Sequence, residues 1–156
     1  MLGIGKVAVA NGDLQNRGVM HRLRQSPGRA VNYSYIVVSE NAEDMPRIDI
    51  IAVRDFSRMK EKLKKKVKPG IGLEMQVAPA RKMDAGRWFS DVRDLYNFSR
   101  SSGCQFILSS GADSPHAMVS GLCFDAILET SGIDPEEHWG SVQEWLESRL
   151  ARRVRI

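Results

Sequence analysis

Alternation of short apolar runs with longer amphipathic ones predicts an α/β fold built from parallel strand–helix units. Ile48-Asp-Ile-Ile-Ala-Val53, Ile71-Gly-Leu-Glu-Met-Gln-Val77 and Gln105-Phe-Ile-Leu-Ser-Ser110 have strand length and apolar character. Between them, apolar residues recur at helical spacing, and Gly or Pro marks most of the joints. Strands that are each followed by a helix run parallel, in an open α/β layer or a barrel. The 156 residues suffice for one domain, residues 1–156, with a substantial core. A complete eight-stranded barrel takes about 250 residues, so the five strand candidates predict an incomplete one.

Taken in order, Ile4 to Ala10 reads as a first short strand closed by the turn signal Asn11-Gly12. Asp13 then caps a helix running through Met20 and Leu23, which Ser26-Pro27-Gly28 breaks. Val31 to Val38, rich in β-branched and aromatic residues, predicts a strand, and Glu40 to Pro46 a polar connection. The 48–53 strand leads into an amphipathic helix over Asp55 to Val67. Phe56, Met59, Leu63 and Val67 share one face of it, and the lysines take the other. Lys68-Pro69-Gly70 stops this helix. After the 71–77 strand, Ala78-Pro79 reads as a loop, followed by a long helix from about Asp84 to Ser101 with Trp88, Val92 and Leu95 inward. Beyond the 105–110 strand, Ser114 is placed to cap helical turns that begin at Pro115 and reach Thr130. Ser131-Gly132 ends them. Asp134-Pro-Glu-Glu137 opens a final helix over 135–150: Asp134 caps it, Glu137 completes a capping-box pattern, and Trp139, Val142, Leu146 and Leu150 form its apolar stripe.

Hydrophobic content of 42% and charged content of 27% are ordinary for a globular protein. No apolar run approaches the roughly 20 residues of a membrane helix, and the N-terminus lacks the pattern of a signal peptide. Cys104 and Cys123 have no metal-site or redox spacing and read as buried free thiols, which places the protein in a reducing, cytoplasmic compartment. Net charge is +4, but Arg54 to Lys68 alone carries eight cations against Asp55 and Glu61, leaving −2 for the rest. Six of those cations are lysines within nine residues, from Lys60 to Lys68. Most lysine-rich helices merely present a solvated face. A concentration this dense and this poorly countered points to phosphate contact. It lacks interleaved aromatic residues, so duplex or folded-RNA backbone suits it better than stacked single strands.

The stretch after the last strand, Ser109-Ser-Gly-Ala-Asp-Ser-Pro115, sits where α/β folds gather ligands, at a strand's carboxyl end. Ile107-Leu-Ser-Ser-Gly-Ala-Asp-Ser-Pro115 resembles the last strand and loop of ribonuclease P protein component 3 of archaea, the thirty-kilodalton subunit family. The likeness extends to Arg47-Ile-Asp49 and Gly72-Leu-Glu-Met-Gln76, is best over 47–130, and is weak before Arg47. It implies a partial or reduced TIM-like barrel related to the polymerase-and-histidinol-phosphatase type. It also implies a non-catalytic subunit that supports the catalytic RNA of ribonuclease P in removing 5′ leaders from precursor tRNA, partnered by ribonuclease P protein component 2 of the Pop-five type. In the phosphoesterase relatives this loop carries a Ser-Asp-Ala-His core that can bind metal. Here the acidic position is Gly111 and the histidine position Asp113, and the arginine-bearing segment that follows in family members reads Met118-Val-Ser-Gly-Leu-Cys123, keeping only Ser120.

A metal centre needs several converging histidines and carboxylates. The chain offers His21, His116 and His138, with no His-x-His. His138, in the first turn of an acidic helix, reads as a surface residue, and His116 as an exposed first-turn residue. Ser109 or Ser110 with His116 and Asp113 lacks the Gly-x-Ser-x-Gly elbow, and Gly70-Ile-Gly72 is too sparse for a dinucleotide loop. The sequence therefore predicts no cofactor, no metal and no catalytic residue. RNA contact is expected at Arg58, Lys60, Lys62, Lys64, Lys65, Lys66 and Lys68. The rival readings are a metal-dependent phosphoesterase and a structural module that docks a protein on exposed apolar surface.

Overall fold

The computed structural model of the chain describes residues 22–24, 36–39, 48–111 and 118–154. Five strands form one parallel sheet in sequential order: β1 (Arg22–Arg24), β2 (Ile36–Ser39), β3 (Ile50–Val53), β4 (Gly72–Gln76) and β5 (Gln105–Ser109). Helix α1 (Phe56–Lys66) connects β3 to β4, and α2 (Ala85–Ser101) connects β4 to β5. Helices α3 (Gly121–Thr130) and α4 (Pro135–Val154) follow. The α/β class with parallel strands is as the sequence predicts.

Period-two alternation assigns the two faces of the sheet. Ile51, Val53, Leu73, Met75, Phe106 and Leu108 point to one side, where α1 supplies Phe56 and Leu63, α2 supplies Trp88, Val92 and Leu95, and α3 supplies Phe124, Ile127 and Leu128. Each side chain of this size contributes about 1.5–3 kcal/mol when fully removed from water. Ile50, Ala52 and Ile107 point to the other side, against Val142 and Leu146 of α4. A closed barrel would enclose that second face with its own strands; here a helix packs on it. Gly72 permits the close approach, since a Cβ there would lie 2.7 Å from Ile107 Cδ1 and 3.1 Å from Trp145 Cη2. Trp145 Nε1 donates to the Gly70 carbonyl at 2.9 Å. Arg149 donates to the same carbonyl and lies 3.7 Å from the buried Asp49 carboxylate.

Most boundaries follow local chemistry. Asp55, Asp84 and Asp134 each accept the backbone N–H three residues on, from Arg58, Arg87 and Glu137, as helix caps do. Trp139, Val142 and Leu146 are buried on α4, whereas the side chain of Leu150 is not among those described. Several expectations are corrected. Leu23 lies in β1, not in a helix; three residues cannot distinguish the two periods, and pairing with Val37 decides. Ala78-Pro79 opens a 3-10 helix (Ala78–Lys82), because proline's fixed φ and missing N–H suit a first turn. The helix expected from Pro115 starts at Gly121, capped by Ser120 Oγ accepting from Cys123 N at 3.3 Å. The strand at 4–10, the helix start at Asp13 and residues 31–35 lie outside the described residues.

Candidate functional site

At the carboxyl end of the sheet, the register sets Ala52, Glu74 and Ile107 in one row and Gln76 beside Ser109 farther along. Glu74 is fully buried. One of its carboxyl oxygens accepts the Ser109 hydroxyl in a very short bond, and the other accepts Gln76 Nε2 at 3.3 Å. Beyond the strands, Val77 N donates to Ser109 O at 2.9 Å and Ala78 N to Ser110 O at 3.0 Å, extending the pairing. Gly111 turns the chain with φ +61°, and a Cβ there would lie 2.9 Å from Gln76 Cβ. The first residues of the loop are thereby fixed by β4. Ser109 and Ser110 are buried and Gly111 is half-buried; Ala112, Asp113, Ser114, Pro115 and His116 lie outside the described residues. The Ser109 hydroxyl, spent on Glu74 inside the sheet, is not an exposed nucleophile.

The amino ends of α1 and α2 meet beside this cluster. Asp55 accepts from Ser57 Oγ at 2.7 Å and from Arg87 Nη2 at 2.9 Å. The Ser57 hydroxyl above all, then the Arg58 N–H and the Arg87 and Arg58 guanidinium groups, hold the Asp55 carboxyl below its ordinary value against an opposing effect of burial. Asp91 reaches across from α2 to accept the first N–H of α1, at Phe56. Burial, aided by the neighbouring Asp55 charge, raises its carboxyl. Two acidic groups thus serve the positive end of the α1 dipole.

The basic side chains lie along the solvent face of α1. Phe56 and Leu63 are buried, Met59 and Val67 are half-buried, and Arg58, Lys60, Lys62, Lys64, Lys65, Lys66 and Lys68 are all exposed. Lys64 Nζ lies 2.8 Å from Glu61, an exposed pair of small energetic consequence. Lys64, Lys65 and Lys66 occupy the last turn, where cations also complement the helix dipole. That turn leads into the start of β4, so the lysine cluster and the 105–115 loop stand at opposite ends of the sheet. The structure does not bring them together.

Near the lysine end, a pocket of about 90 Å³ opens between α2, β5 and α4, lined by Tyr96, Arg100, Cys104, Gln105, Phe106, Glu137, His138 and Ser141. His138, a surface residue by its local sequence, is only 3% exposed. The first turns of α4 press it onto Phe106 (ring centroids 5.4 Å apart) and Trp139 (4.9 Å), and burial pushes its pKa down to about 4. Its Nε2 has no hydrogen-bond partner. The thiols are also corrected: Cys123 is exposed and Cys104 half-buried, because the helix that holds Cys123 turns Phe124, Ile127 and Leu128 inward instead. Burial raises the Cys104 thiol.

Sequence reasoning missed the polar residues that tertiary contacts bury. Glu74 and Asp49, charged residues inside otherwise apolar strands, were the available signal; nothing local marked Asp91 or His138. Among the described residues, no three His, Cys, Asp or Glu side chains converge as a metal site, and no helix is long and apolar enough to cross a membrane. No protein-family model, curated protein or solved structure matches the chain.

Proposed function

We propose that this chain is a non-catalytic protein subunit of ribonuclease P, of the component 3 type, which contacts the catalytic RNA through the exposed face of α1. The observation that carries the reading is the segregation on that helix. Its apolar residues are spent on the core, and its seven cations, from Arg58 to Lys68, face water together. Such a face binds sugar-phosphate backbone by releasing condensed counterions, with little regard to sequence. The sequential parallel strand order supports a reduced barrel, in which α4 fills the face that further strands would enclose. In this reading the RNA performs cleavage of precursor tRNA, component 2 is the protein partner, and the assembly works in the cytoplasm.

The test is binding to ribonuclease P RNA, with and without component 2, across a salt titration. Wild type is compared with a Lys62/Lys64/Lys65/Lys66→Glu variant whose helicity is checked by circular dichroism. Every phosphate no longer neutralised by the variant should lower the log–log salt slope by about 0.7–0.9. The variant should bind more weakly and with a shallower slope. Equal binding by both proteins, or none by wild type even with component 2, would refute the proposal. Partner binding insensitive to salt and without RNA affinity would favour a structural docking module.

A further inference from the structure

The pocket between α2, β5 and α4 is built around a histidine nitrogen with no partner. An uncompensated polar atom this deeply buried costs about 1–3 kcal/mol, a penalty that a bound group or water would relieve. The surrounding groups already serve one another. Ser141 Oγ donates to Gln105 Oε1 at 2.8 Å, Gln105 Nε2 donates to the Phe106 carbonyl at 2.9 Å, and Cys104 Sγ lies 3.5 Å from the Lys68 carbonyl. Two charges of opposite sign stand among the lining residues. Arg100, held over the Tyr96 ring at 5.7 Å and donating to its hydroxyl at 3.2 Å, keeps further N–H groups to offer, and Glu137 contributes a carboxylate.

We propose that this pocket binds a small zwitterion of the size of glycine, its carboxylate on Arg100 and its ammonium between Glu137 and His138 Nε2. Charge balance selects that class, since an anion alone would meet Glu137 and a cation alone would meet Arg100. Size selects its smallest members. An apolar cavity of about 150 Å³ holds the six heavy atoms of benzene, so roughly 90 Å³ admits about four or five. A neutral imidazole with its hydrogen on Nδ1 makes Nε2 an acceptor for an ammonium hydrogen, and its depressed pKa keeps it neutral at physiological pH. The site is independent of the RNA reading and involves none of the α1 lysines.

The experiment uses the full chain with ¹⁵N-labelled histidine, the His138 signals being assigned by their disappearance in His138→Phe. Titration with glycine should shift the His138 ring nitrogens saturably, with a Kd on the order of millimolar for so few atoms. Acetate and methylammonium, each carrying half of the ligand's charge, should bind at least about tenfold more weakly, as should glycine to Arg100→Gln and Glu137→Gln. Both of those positions are exposed, so the test stands even if His138→Phe fails to fold. No saturable shift by about 100 mM glycine would overturn the proposal. So would equal binding of acetate or inorganic phosphate, glycine binding unchanged in both charge variants, or a trapped water at Nε2 that glycine does not displace.

Discussion

Acidification should destabilise this protein through His138 before most carboxylates titrate. In the unfolded chain the imidazole titrates near its ordinary value of about 6.5, while burial against Phe106 and Trp139 holds it down to about 4 in the fold. A group whose pKa is lower in the folded state leaves the unfolded chain binding more protons, so stability falls as pH drops through that window. A difference of about 2.5 units corresponds to about 3 kcal/mol in full, of which about 2 kcal/mol is lost between pH 7.5 and pH 5. Arg100 and Glu137 line the same pocket and act on the imidazolium with opposite sign. The assay is urea unfolding of wild type and His138→Phe at both pH values. The variant keeps an aromatic ring but cannot charge, and carboxylates such as Asp55 titrate in both proteins and cancel in the difference. The wild type should lose about 2 kcal/mol more than the variant on acidification. A difference that stays constant across the window would refute the burial argument.

Two further substitutions probe the packing around the sheet. Gly111→Ala places a Cβ at φ +61° and 2.9 Å from Gln76 Cβ, which is anchored to β4 and cannot swing aside. It should cost about 2 kcal/mol or more in denaturant unfolding, whereas Gly140→Ala, with open space around its Cβ, should cost nothing. Arg149→Met strips the nearby cation from the buried Asp49 and a donor from the Gly70 carbonyl. It should destabilise by roughly 3 kcal/mol, and Asp49→Asn in the same chain should recover part of that loss, a coupling that a double-mutant cycle measures directly.

The sequence by itself determined the elements with strong local causes. The amphipathic period of 55–67, the aspartates that cap three helices, and the apolar strands at 48–53, 71–77 and 105–110 are properties of short segments, and they survive folding because packing agrees with them. The basic face was legible for the same reason, as charge and helical period lie in one continuous stretch. The start of α3 was not legible, because two Ser-initiated caps compete there, at Ser114 and Ser120, and local signals rank them equally. What only tertiary structure decided were partnerships between distant segments. Glu74 finds Ser109 across a strand pair, Arg149 finds Asp49 from the far end of the chain, and α4 covers a sheet face that strand–helix alternation alone would leave to a barrel interior. His138 is the plainest case. An acidic first turn marks a surface in the local pattern, yet β5 and α3 lie where that turn lands, and the area removed from water outweighs the missing partner of one imidazole nitrogen.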